Sequence, residues 1–259
     1  MAKEQLLVVK VGGKVVENPE ALQKLIKSLM AIKCRKVLVH GGGVMATKIA
    51  ADMGIKTTMV EGRRVTDDKT IDVVTMVYGG LVNKRLVSLL QMRKMNAIGI
   101  CGADMNIILS DKRPVTNGID YGWVGDVRKV NGKALSSLIE TGVLPVIAPL
   151  THDGKGHILN TNADTIAGET AKALAKNYDV TLAFCFEKRG VLTDPNNDDS
   201  VISSLKIKQY EMLKETGIIV DGMIPKLDNA FSCIEYGVKE VIITHANNLG
   251  DLSQGTHIK

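Results

Sequence analysis

Five short segments of this chain carry residues that could act on anionic groups. Lys10-Val11-Gly12-Gly13 closes the apolar run Leu6-Leu7-Val8-Val9, and His40-Gly41-Gly42-Gly43 closes Val37-Leu38-Val39. Gly62-Arg63-Arg64-Val65-Thr66, Asn160-Thr161-Asn162-Ala163-Asp164 and Asp221-Gly222-Met223-Ile224-Pro225-Lys226 each stand before a helical pattern. Glycine lets backbone N–H groups approach an anion closely, and a following helix adds its positive dipole end. Two such turns on successive strands could hold two anionic groups face to face, which is an arrangement for group transfer. Lys10 and Lys226 would supply positive charge, and Arg64 suits a bidentate hold on a carboxylate.

Each segment also has a plainer reading. Lys10 could be a snorkelling lysine at a strand tip, Arg64 an exposed loop arginine, and Lys226 a solvated one. Asn162 or Asp164 could serve only as a helix N-cap. Gly41-x-Gly43-x-x-Ala46 also satisfies a loose dinucleotide pattern. No acidic residue stands at the end of a following strand, so a nicotinamide site is weakly supported. A G-x-x-x-x-G-K-[ST] motif is absent from the sequence.

The elements that must position these residues alternate between strand and helix, as in a parallel sheet covered by helices. Asn18 and Pro19 predict a helix start, with Leu22, Leu25, Ile26, Leu29 and Met30 on one face. Further helices are expected over 44–53, 67–92 (capped by Thr66), 164–176, 206–216 and 225–236. Strands are expected over 97–101, 144–148, 180–186 and 240–244. Residues 106–115 and 121–130, with the turn Asn117-Gly118, predict a β-hairpin, and 152–160 another turning at Asp153-Gly154. The long helix is apolar on more than one side, which implies either a fully buried position or a dimer contact. Asp194–Ser200 reads as a polar loop.

Bulk composition narrows the class. At 259 residues with 45% hydrophobic and 24% charged side chains, the chain suits one large α/β domain or two lobes. A net charge of +5 without basic runs, and only 3% aromatics, argue against a nucleic-acid surface. Cys34, Cys101, Cys185 and Cys233 lack metal or disulfide spacing and read as free thiols. The histidines show no metal-ligand spacing, so no protein-held metal is expected. No signal peptide and no apolar run near the ~20 residues of a membrane helix is visible, which favours the cytoplasm and no membrane contact.

Taken together, K-V-G-G, H-G-G-G, G-R-R-V-T, N-T-N-A-D and D-G-M-I-P-K, in that order, resemble the amino acid kinase family. G-R-R-V-T followed by a long helix is most similar to its acetylglutamate branch. The resemblance covers essentially the whole chain and implies an open, mostly parallel eight-stranded sheet between helical layers. It implies an N-terminal lobe, residues 1–176, for an acylated amino acid and a C-terminal lobe, residues 177–259, for ATP. Lys10 and Lys226 would stabilise the transferring phosphoryl group, and Asp164 would orient both. Gly42, Gly43, Arg64 and Asn160 would bind the substrate. Gly12, Gly13, Asp221, Gly222 and Met223 would approach the nucleotide, with Mg²⁺ bound through its phosphates.

The implied reaction is ATP-dependent phosphorylation of the γ-carboxylate of N-acetyl-L-glutamate in arginine biosynthesis. N-succinyl-glutamate, another acceptor used within the family, and a non-catalytic amino-acid sensor are the alternatives. Relatives commonly carry a Ser/Thr-Asp pair where this chain has Cys185-Phe186-Glu187-Lys188-Arg189, which leaves the adenine contacts open. Arginine-inhibited relatives carry an extra N-terminal helix for which this chain leaves no room. An arginine-insensitive homodimer through the helix 67–92 is therefore expected.

Overall fold

The computed structural model describes residues 2–194 and 196–259, and only the backbone of Asp221. Pro195, within the expected polar loop, lies outside the described residues. Two compact units are present. Unit 1 comprises residues 1–37 and 167–259, and unit 2 comprises 38–166. These boundaries differ from the expected division at 176/177.

In chain order, β1 (Glu4–Val11) leads into α1 (Gly13–Glu17) and α2 (Pro19–Ala31), then β2 (Arg35–His40) and α3 (Gly43–Asp52). The short strands β3 (Met59–Val60) and β4 (Arg63–Arg64) precede α4 (Asp68–Val74) and α5 (Asn83–Met92). Next come β5 (Ala97–Ile100), β6 (Ile108–Lys112), β7 (Gly125–Val130), α6 (Gly132–Glu140), β8 (Leu144–Ile147), β9 (Leu150–His152) and β10 (Ile158–Asn160). The chain finishes with α7 (Ala163–Leu174), β11 (Tyr178–Phe186), β12 (Ser204–Leu205), α8 (Ile207–Glu215), α9 (Ile224–Glu235), β13 (Glu240–His245) and β14 (Thr256–Ile258). The main sheet has eight strands in the order β12-β14-β13-β11-β1-β2-β8-β5 and is mostly parallel, with β13 and β14 antiparallel. The fold class is therefore α/β, as expected.

Unit 1 is organised around β1 and β11. They pair in parallel over eight residues, from Glu4↔Tyr178 to Val11↔Cys185. Leu6 to Val9 and Val180 to Cys185 are mostly buried, as strands covered on both faces must be. Asn18 caps α2, its side chain accepting from the Ala21 N–H, with Pro19 in the first turn.

Unit 2 adds a second sheet, β10-β9-β6-β7, built from the two expected hairpins. Asn117 and Gly118 both have positive φ, the two-residue turn that the Asn-Gly pair favours. The sequence reading passed over α6, although Asn131 caps it and Leu135, Ser136 and Ile139 line its buried face. It also passed over β3–β4, whose turn residues Glu61 and Gly62 both adopt positive φ. Asp67, not Thr66, caps α4 by accepting from the Thr70 N–H. Thr66 instead bridges to Gly122 in the hairpin region.

The long helix is continuous from Asp68 to Met92, but Thr75–Val82 is π-helical. By length and composition alone this helix passes the test for a bilayer span, a test that buried core helices pass as well. Val73, Val74, Val77, Tyr78, Val82, Leu86 and Leu90 are nevertheless buried, as in a core helix. Met76, Leu81 and Met92 lie on an exposed remainder.

The π-helical stretch delivers Asn83 to the end of β2. The Asn83 amide donates to His40 Nε2 (3.2 Å) and to the Val146 carbonyl (2.9 Å). On the other side of the ring His40 Nδ1 is 2.9 Å from the Gly41 carbonyl, which can only accept. Nδ1 therefore carries the proton and the imidazole is neutral. Burial holds its pKa down to about 4, with the Gly41 carbonyl opposing weakly. An unfolded histidine titrates near ~6.5, so the unfolded chain binds the extra proton first as pH falls. His40 is without cost above pH ~6.5 and lowers stability progressively from there down to about pH 4. The full loss should be about 3 kcal/mol. In urea melts between pH 7 and pH 4.5, His40→Gln should show a flatter stability profile than wild type. An identical slope would remove His40 as the cause.

Candidate functional site

Unit 1 carries both lysines that the sequence singled out. Lys10 is the penultimate residue of β1 and is 7% exposed; Lys226 is in the first turn of α9, after Pro225. Their ammonium groups meet at one aromatic ring. Lys10 Nζ is 4.9 Å and Lys226 Nζ 4.2 Å from the centroid of Phe186, the last residue of β11. The two charges are thus no farther apart than the sum of those distances. The negative face of the ring attracts a cation, by about 0.5–2 kcal/mol depending on desolvation. The sequence reading missed Phe186, seeing that segment only as a departure from its relatives.

Phe184 and Cys185 pack this strand end from within. The Cys185 thiol is pushed up to about 12 by burial, with the nearby Lys10 charge only partly offsetting it. It is an inert core group at neutral pH. Gly12 is the N-cap of α1 with φ −70°, and a Cβ built there meets nothing within 4 Å. The fold itself does not demand glycine at that position. A cavity of about 330 Å³ opens at the carboxyl ends of β1, β11 and β13, lined in part by Lys14, Asn18, Lys24, Phe186 and His245. Crevices at strand carboxyl ends are the usual ligand sites of open α/β sheets. Asp221–Met223 form a 3₁₀ turn leading into α9.

Unit 2 gathers the other group of predicted residues around one cavity of about 230 Å³. Gly42, Gly43, Arg64 and Asn160 all line it, with Tyr78 and Arg113. Arg64, only 8% exposed, is held firmly. Its Nη2 donates to the Gly43 carbonyl and to Thr47 Oγ1, both at 2.8 Å, and its Nη1 donates to Thr57 Oγ1 at 3.0 Å. Both hydrogens of Nη2 are thereby engaged, so a carboxylate gripped bidentately would have to displace Thr47 or Gly43. Thr47 and Thr57 carry no motif that could have flagged them.

Asn160 is anchored by its backbone and its side chain. Its N–H donates to the Trp123 carbonyl (2.8 Å), while its amide donates to Thr66 Oγ1 (3.0 Å). Thr66 Oγ1 in turn donates to the Arg64 carbonyl (3.1 Å). The G-R-R-V-T segment and the N-T-N-A-D segment are therefore one hydrogen-bonded piece. Arg113 is bound to Asp126 and lies over Tyr121, so its charge is largely compensated. Asp164 is half-buried in the first turn of α7. Asn162 caps that helix, accepting from the N–H groups of Asp164 and Thr165.

The model of the amino acid kinase family matches residues 5–245. A protein of Parabacteroides distasonis named acetylglutamate kinase is 58% identical over 98% of this chain and 99% of its own length. One of the same name from Methanopyrus kandleri is 40% identical, over 93% and 96%. In fold, the chain is similar to N-acetylglutamate synthase from Neisseria gonorrhoeae solved with coenzyme A and N-acetyl-glutamate. That likeness has a TM-score of 0.83 at 22% identity, over all of this chain and 60% of the other. With the family pattern matched from the first strand to the last residues of β13, the chain belongs to the amino acid kinase family.

Proposed function

We propose that this chain transfers the γ-phosphoryl group of ATP to the γ-carboxylate of N-acetyl-L-glutamate, a step of arginine biosynthesis. The convergence of Lys10 and Lys226 on Phe186 carries the reading. Two ammonium groups near one ring can together stabilise an anionic group that passes beside them. Full-length likeness to acetylglutamate kinases supports the choice of acceptor.

The acceptor carboxylate has a reference pKa near ~4.3 and is ionised at neutral pH, so no general base is required. One of its oxygens forms a bond to the γ-phosphorus as the bond to the ADP oxygen breaks. The obstacle is repulsion between two anions, and catalysis rests on positioning and charge cancellation. Lys10 and Lys226 are assigned to the migrating phosphoryl group and Asp164 to orienting them. Gly12 and Gly13 are assigned to the nucleotide phosphates, with Asp221, Gly222 and Met223 flanking the nucleotide. Gly42, Gly43, Arg64 and Asn160 take the acceptor. The open space at the Gly12 Cβ position supports the approach of a phosphate there. Mg²⁺ supplies further charge neutralisation on the nucleotide. Its assigned ligands would be the phosphates of the nucleotide.

The reading places the enzyme in the cytoplasm, where ATP is at hand and free thiols such as Cys185 and Cys233 stay reduced. It also includes a homodimer through the helix Asp68–Met92, supported by its exposed Met76, Leu81 and Met92.

An ADP-release assay with N-acetyl- and N-succinyl-glutamate tests the whole reading; release with neither acceptor would overturn it. Lys10→Ala and Lys226→Ala should each lower kcat by at least ~10²-fold while far-UV circular dichroism stays native. Near-wild-type turnover in either variant removes that lysine from the mechanism. Arg64→Ala should raise the acceptor KM more than it lowers kcat. An unchanged KM would unseat Arg64 from substrate binding. Sedimentation of Met76→Asp/Leu81→Asp should report monomers where the native chain reports dimers. Equal masses for the two would sink the dimer surface.

A further inference from the structure

The cavity of unit 2 contains a side chain to which no role has yet been given. Tyr78 lies in the π-helical stretch, is 5% exposed and lines the cavity beside Gly42, Gly43 and Arg64. Two separate contacts tie it to the acceptor site. Its ring lies under Gly42, where a Cβ would stand 2.8 Å from Tyr78 Cδ1 and 3.1 Å from Cε1. Gly42 has φ −177°, an extended backbone open to any residue. Close approach of the Tyr78 ring, rather than backbone conformation, is what requires glycine there. The phenol end reaches the other side of the turn. Its hydroxyl lies beside Arg64: a Cβ on Gly43 would be 3.9 Å from Arg64 Nη2 and 4.0 Å from Tyr78 Oη.

Helical register explains how Tyr78 reaches this place. On an α-helix residues five apart diverge by about 140°. Hydrogen bonding from i to i+5 widens the turn and narrows that divergence. Tyr78 and Asn83 are five apart, and both grip the same turn: Tyr78 under Gly42, Asn83 on His40. π-helical stretches frequently mark functional sites.

Chemistry assigns the hydroxyl a further task. The Tyr78 phenol carries a hydrogen that it can donate, and it stands beside a guanidinium whose own donors are largely taken. With both Nη2 hydrogens of Arg64 engaged by Gly43 and Thr47, a carboxylate in the cavity needs another donor beside the guanidinium. We propose that Tyr78 is an acceptor-binding and positioning residue. Its ring sets the Gly42–Gly43 turn, and its hydroxyl donates to the α-carboxylate of the acyl amino acid alongside Arg64. This inference rests on the acyl-glutamate reading above.

Tyr78→Phe keeps the ring and removes the donor. The KM and the calorimetric Kd for N-acetyl-L-glutamate should rise about tenfold, while kcat stays within about twofold and the KM for ATP is unchanged. If the wild type turns over N-acetyl-glutamate and Tyr78→Phe leaves both constants unaltered, the role of the hydroxyl is overturned while the kinase reading stands. If the wild type turns over no N-acyl-glutamate, the kinase reading falls and this role falls with it. The ring contact has its own test in thermal melts, independent of activity. Gly42→Ala should lower Tm in the native background and lower it far less in a Tyr78→Ala background. Equal losses in both backgrounds would overturn the ring's part.

Discussion

Two positive charges held against one aromatic face are the constraint on which the chemistry of unit 1 depends. A buried ammonium group is costly unless something negative or polar receives it, and a second one nearby adds repulsion. Phe186 answers part of this with the negative face of its ring, at 4.9 Å from Lys10 and 4.2 Å from Lys226. An uncharged aromatic ring does not neutralise either lysine. Salt bridges elsewhere in the chain, such as Lys188–Asp198 and Arg189–Asp199, lie on exposed surface and do not bear on this site.

Unit 2 solves a different problem, that of making a flexible glycine turn rigid. Gly41 to Gly43 have no side chains to pack, so their order is imposed by neighbours. A neutral His40 locks the strand end through Asn83, Tyr78 supports Gly42, and Arg64 takes the Gly43 carbonyl. Arg64 is in turn fixed by Thr47 and Thr57, and its strand is bound through Thr66 to Asn160. Backbone N–H donors of a turn fixed in this way need little rearrangement when an anion arrives. The neutrality of His40 matters here, because a second proton would remove the lone pair that accepts from Asn83.

The motifs were legible because they are local. A glycine pair after an apolar strand, Asn18-Pro19 before a helix and Asn117-Gly118 between strands each act through their own backbone, and each was found where expected. Asp67 rather than Thr66 capping α4 is a one-residue error, since both types can cap and only tertiary demand on Thr66 decides between them. The helix α6 was overlooked despite a legible cap at Asn131, a failure of reading rather than of signal.

What escaped the sequence has a common cause: it depends on pairing between distant segments. β1 joins residues 167–259 in unit 1 because it pairs with β11 along its full length, and no local pattern announces a parallel partner some 170 residues away. Phe186 and Tyr78 look like ordinary core aromatics until the chain closes and brings them under lysines and glycines. The amino-acid order by itself determined the α/β alternation, the glycine turns and the identity of the charged groups, all set by interactions within a few residues. Only the tertiary structure decided which charges meet on one ring and which helix face stiffens which turn. Those outcomes follow from strand register and from a change of helical pitch, neither of which is written in any short stretch of sequence.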